Sequence, residues 1–124
     1  MWFGCIIQES VENPSFFLKF PIYYQKIVDT TELKSNENFW HLLYFKLEDQ
    51  DFLTIEEKLF TDLKNGPWYS HFWNQSNIKI IFKEKSFKIS LNKDASWEEP
   101  IKYGISLGIP ENQLDFDIKS ELSP

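Results

Sequence analysis

Histidine occurs twice in this chain, at His41 and His71, and cysteine once, at Cys5. Imidazole is the side chain best suited to moving protons near neutral pH, and a carboxylate such as Glu9 or Asp115 beside it would complete a general acid–base pair. Two histidines with a carboxylate could also bind a metal, but their spacing matches no His-Glu-x-x-His or related pattern. Nucleophile elbows, glycine-rich phosphate loops and paired-acid motifs are absent from the sequence. The reading therefore assigns no cofactor, no metal and no catalytic residue. Its alternative is a small enzyme in which His41 and His71 perform general acid/base chemistry. A single cysteine excludes an internal disulfide and a thiolate zinc cage. Within the apolar run "WFGCII", Cys5 reads as a small buried hydrophobe.

The histidines stand among large aromatics. His71 lies in "PWYSHFWN", residues 67–74, and His41 follows Trp40 directly. Tryptophan and tyrosine dominate binding hot spots because they bury much area at small entropic cost. Trp40, His41, Trp68, Tyr69, His71 and Trp73 are thus the candidate binding residues. The leading functional reading is a non-catalytic binding or interaction module using this aromatic surface, with either another protein or a second copy of the chain as partner.

Charge narrows the partners further. The net charge is −6, the pI is near 4.9, and all thirteen basic residues are lysine. Without arginine there is no bidentate fork for phosphate, and an acidic chain lacks the positive excess that nucleic acid demands. No apolar run approaches the ~18 residues of a membrane span, and the first residues lack the basic and apolar regions of a signal peptide. The expectation is a cytoplasmic protein with neither nucleic acid nor membrane as partner.

Several elements must position these residues. Trp2–Glu9, Pro21–Asp29 and Phe39–Glu48 read as strands, with a polar loop over residues 30–38. Asn13-Pro14 resembles an N-cap followed by proline at the first helical position, opening a short helix to about Lys19. Thr54-Ile55-Glu56-Glu57 has the form of a capping box, ahead of a stripe of Ile55, Leu59 and Leu63 that ends at Asn65-Gly66-Pro67. Strands follow at 68–74, 78–83 and 86–91. A turn at Glu84-Lys85 would oppose Phe82 to Phe87, Ile80 to Ile89 and Ile78 to Leu91. A four-residue loop before Ile78 sets Trp73 against Ile78, His71 against Ile80 and Tyr69 against Phe82. It leaves Trp68, Ser70 and Phe72 on the other face.

Large aromatics on both faces of one strand require a second cover. A helix of the same chain, a second copy or a ligand could supply it, and the short helix at Phe16–Phe17 is the intramolecular candidate. Lys79, Lys83 and Lys88 would form a lysine patch nearby. Ser96-Trp97-Glu98-Glu99 is a second capping-box pattern, opening a helix to about Leu107 with Trp97, Ile101, Gly104 and Ile105 on its apolar stripe. Gly108 caps this helix, and Leu114 and Phe116 fold the chain back onto the core. The sum is α+β: a single domain over residues 1–116, a mainly antiparallel sheet with two principal helices and one short one, and a tail over 117–124.

The blocks "WYSHFWN", "IIFKEKSFKI" and "YGISLGIPENQLDF", with "WHLLYFKL" from Trp40, resemble a family of small conserved bacterial and archaeal proteins. That family carries W-Y-x-H-F, V/I-F-K-x-K-x-F and Y-G-x-S-x-G-I-P-x-x-Q-L-D-F blocks. It has no established activity, so the resemblance implies one intact domain over roughly residues 40–116 and no catalytic residue.

Overall fold

The computed structural model describes residues 1–30 and 39–118. Most of the polar loop expected over 30–38 lies outside the described residues. The chain is α+β, as its patterning predicts. Six strands, β1 (Trp2–Ile7), β2 (Ile22–Asp29), β3 (Phe39–Leu47), β4 (Ser70–Trp73), β5 (Asn77–Phe82) and β6 (Lys85–Ser90), form one sheet in the order β2-β3-β1-β4-β5-β6. All five pairings are antiparallel. The helices are α1 (Pro14–Phe17), α2 (Asp49–Asp62) and α3 (Glu98–Ser106).

One face of the sheet is closed by α2. Phe52, Ile55, Leu59 and Leu63 are fully buried against Ile6, Leu43, Phe45, Leu47, Phe72 and Ile81, and Phe17 of α1 completes the layer. Each such side chain removed from water contributes roughly 1.5–3 kcal/mol. The second cover required by strand β4 is therefore intramolecular, but it is α2, whose Phe52 ring lies 5.3 Å from Phe72, and not the short helix expected at Phe16–Phe17, which adds Phe17 to the same layer. Close approach is bought at Gly4 of β1: a Cβ there would collide with the ring of Phe72, so the phenylalanine lies directly across the strand backbone.

α2 begins five residues before the Thr54 capping-box pattern. Glu48 is its extended N-cap residue, and Asp49 and Asp51 place negative charge at the positive end of the helix dipole. Thr54 is interior, and its hydroxyl donates to the Gln50 carbonyl instead of capping an amide. Asn13 likewise makes no side-chain cap for α1. Its amide Nδ2 donates to Asp62 Oδ1 at 2.6 Å and its backbone N–H to Oδ2 at 2.9 Å, tying α1 to the end of α2. The lysine patch is also redirected. Lys79 Nζ bonds Glu56 of α2 at 2.7 Å, and Lys83 Nζ donates to the carbonyls of Thr61 and Leu63. These two ammonium groups pin α2 to β5, which leaves neither as a rim charge for an outside partner.

On the opposite face, α3 and the chain after it lie mainly over β4, β5 and β6, with Phe3 of β1 at the edge of that layer. Trp73, Ile78, Ile80, Phe82 and Ile89 pack there with Trp97, Ile109, Leu114, Phe116 and Ile118. The β5–β6 register differs from expectation by two residues. Ile78 faces Ile89, Ile80 faces Phe87 and Phe82 faces Lys85, around a turn at Lys83-Glu84 in which Glu84 adopts φ 59°. A two-residue shift keeps every side chain on its face, so Phe82 and Phe87 still meet edge to face at 6.0 Å, diagonally and not directly opposed.

Neither Ser96 nor Trp97 caps α3. Asp94 caps the preceding 3-10 turn by accepting from the Ser96 N–H, and hydrogen bonds from Ser96 and Ser90 hold its carboxyl below the ordinary aspartate value. Gly104 packs where predicted: a Cβ there would sit 2.6 Å from Leu114 Cδ2. Ile105 departs from the predicted stripe. It is 46% exposed, and Pro100 is buried in its place.

Candidate functional site

The half of the second face formed by β1, β3 and the start of β4 is not roofed by α3. Register fixes what it displays. Tyr24 of β2 opposes Tyr44 of β3, Tyr44 opposes Cys5 of β1, Cys5 opposes His71 of β4, and His71 opposes Ile80 of β5. Directly opposed residues of antiparallel strands point to one face, with Cβ atoms roughly 4.5–5.5 Å apart. A phenol, a thiol and an imidazole therefore stand side by side in one row across the sheet.

A cleft of about 190 Å³ opens over this row, walled by Trp40, Leu42 and Tyr44 of β3, Cys5 and Ile7 of β1, and Pro67, Trp68, Tyr69 and His71. Its far rim is the chain after α3, which contributes Ile109, Gln113 and Asp115. That rim is tied down where the Tyr69 hydroxyl donates to the Gln113 carbonyl at 2.7 Å. Trp40 and Trp68 meet at one end with ring centroids 5.6 Å apart, tilted by 57°. The floor is stiffened by His71, which stacks on Trp73 at 5.4 Å and 21° and lies 6.2 Å from Tyr69.

Four of the six residues expected from the sequence thus line one cleft: Trp40, Trp68, Tyr69 and His71. Trp73 does not line it. It is 2% exposed, stacked between His71 and Phe3, and supports His71 from the side on the same face of the sheet. His41 is on the opposite face. It alternates with Trp40 and Leu42 along β3 and so shares its side with Leu43 and Phe45 under α2. There, Glu9 accepts the His41 backbone N–H and pairs with Nδ1, both at 2.6 Å. Glu9 is one of the carboxylates the sequence offers to a histidine, and the pair pins the turn after β1 to the start of β3. With a sheet between them, His41 and His71 cannot address one substrate.

The sequence reading passed over Cys5, Tyr44 and Gln113 as site residues. The first carried a signal, since the two-residue repeat of a strand puts Phe3, Cys5 and Ile7 on one face. Which strands flank β1, and hence which side chains flank the thiol, is a property of strand order. Among the described residues, no group of three or more His, Cys, Asp or Glu side chains is placed to hold a metal ion. None of the described helices is long and apolar enough to cross a membrane.

Scans against family models, curated proteins and solved structures find no match to this chain.

Proposed function

We propose that the protein is a cytoplasmic binding module, without turnover chemistry, whose aromatic cleft receives one flat apolar group of about one ring. The observation that supports this most is the convergence of Trp40, Trp68, Tyr69 and His71 on a single concavity of about 190 Å³. An apolar cavity of about 150 Å³ already accepts benzene, so the volume suits a single ring. Aromatic walls favour a flat guest through offset and edge-to-face contacts. His71 and Asp115 supply a few polar groups at the margin, as small-ligand sites commonly do. A flat contact surface, the other form such an aromatic cluster could take, would not enclose a volume of this size.

The test is titration with p-cresol, followed at the indole N–H resonances of Trp40 and Trp68. Expected are saturable shifts at both, with Kd on the order of a millimolar or below; the backbone amides of the cleft residues Cys5, His71 and Gln113 should shift as well, and those amide shifts should be lost in Trp40→Ala/Trp68→Ala. Absence of shifts at these two resonances, or equal binding by the double variant, overturns the reading.

A further inference from the structure

The hollow that receives the ring has a charge character of its own. Among the described residues that line it, none is a lysine, and its rim carries the exposed carboxylate of Asp115. The walls include two indoles, Trp40 and Trp68, and two phenols, Tyr44 and Tyr69. The face of an aromatic ring is electron-rich and its edge electron-poor. Such walls therefore offer negative potential wherever they present a face, and tryptophan is the strongest of them toward a cation. Lysines of the same sheet stand elsewhere. Lys26 lies beyond Leu42 on the edge strand β2 and does not line the hollow. Lys46 holds its ammonium over the Phe3 ring at 6.0 Å, and Lys79 and Lys83 bond to α2 on the far side of the sheet.

We propose that the ring this cleft selects is a cationic one, an aromatic heterocycle of the N-alkylpyridinium type. This rests on the binding reading above, that one flat ring enters, and names its ligand class.

The geometry of the walls favours charge on the guest. Trp40 and Trp68 are tilted by 57° with centroids 5.6 Å apart, so they form a corner and not a parallel slot. A flat guest in a corner lies over one ring and turns its edge toward the other. A neutral ring gains from this through its weakly positive C–H edge. A pyridinium gains more, because its charge is spread over those edge atoms and also faces the ring beneath. Desolvation opposes the burial of any ion. Asp115 is exposed, so a charge entering at that rim keeps part of its hydration and meets a carboxylate. An anionic ring of the same shape meets the same faces with the wrong sign.

A charge series of nearly constant shape tests this: N-methylpyridinium, toluene and benzoate. Each is titrated into the full chain and followed at the backbone amides of Cys5, His71 and Gln113. N-methylpyridinium should bind at least about fivefold more tightly than toluene, and benzoate more weakly than toluene. Asp115→Asn should weaken N-methylpyridinium about two- to fivefold and leave toluene unchanged. Asparagine keeps an oxygen that can accept the Asp117 N–H, as Asp115 Oδ1 does at 3.0 Å, so the rim should hold its shape. Added salt should act as that variant does, on the cation alone.

Overturning results are toluene or benzoate binding as tightly as N-methylpyridinium, or an affinity for N-methylpyridinium indifferent to both Asp115→Asn and salt. p-Cresol binding beside either result would sink the cationic class and leave the binding reading standing. Failure of p-cresol and of all three members of the series would sink both.

Discussion

The two faces of the sheet are built on opposite plans. Under the 14-residue helix α2, pinned by Lys79 and Lys83, Phe52, Ile55 and Leu59 are fully buried against β1, β3, β4 and β5, while Leu53 faces outward. On the other side α3 has nine residues and, with the chain after it, packs mainly over three strands; among the described residues, the segment that carries Ile109, Gln113 and Asp115 borders the rest. The same aromatic-rich chain makes a dry core where the cover is long and a hollow where it is short. Concavity here comes from the reach of the covering elements more than from any change in composition. The stability of the fold should therefore reside with α2, and ligand recognition with the half-covered face.

The sharpest way to break this comparison is Phe72→Ala. The ring is fully buried, 5.3 Å from Phe52, and its removal leaves a cavity on the closed face. A loss of about 3–5 kcal/mol in chemical denaturation is expected, whereas Trp40→Ala, on the open half, should cost clearly less. Equal losses would mean that the faces share the load. Next comes Gly104→Leu, which forces Leu114 off α3. Overpacking of this kind costs roughly 1–3 kcal/mol. Because Leu114 follows Gln113 on the cleft rim, p-cresol affinity should fall as well. A variant as stable as the parent with unchanged affinity would detach the rim from α3.

The smallest effect concerns Asp94. Its carboxyl is held below the ordinary aspartate value by hydrogen bonds from Ser96 and Ser90. A depressed folded-state value stabilises the fold above the unfolded value of 3.8, and that contribution is lost as pH falls through the lower folded one. Asp94→Asn should lower stability slightly near neutral pH, where the carboxylate's contribution is fully present, and converge with the parent at the acid end, which flattens the limb. A thermal melt series from pH 5 to about 2 would show it.

Strand positions were legible from alternation because a half-buried strand repeats every two residues. The hairpin register was not, because a shift of two residues preserves the apolar face. The turn decides it, and nothing in Lys83-Glu84 advertises that Glu84 takes a positive φ. The start of α2 was obscured because Thr54 and Glu57 mimic a capping box while Phe52, a core residue, lies upstream of it. Most of the aromatic cluster could be named in advance, and the separation of the two histidines was latent in the parity of β3. The row Tyr44-Cys5-His71 was out of reach: these residues are neighbours only because β1 threads between β3 and β4, and local sequence does not encode that order.

Gly4 and Phe72 carry a consequence for how this chain can vary. The ring occupies the space that any side chain at position 4 would claim, so the two positions amount to one choice written twice. Substitution at Gly4 alone is barred by collision, and shrinkage at Phe72 alone leaves a void beneath α2. Only a paired exchange, with volume moved from one strand to its neighbour, keeps the layer filled. Relatives of this protein that share its sheet should therefore show these two positions changing in concert or not at all.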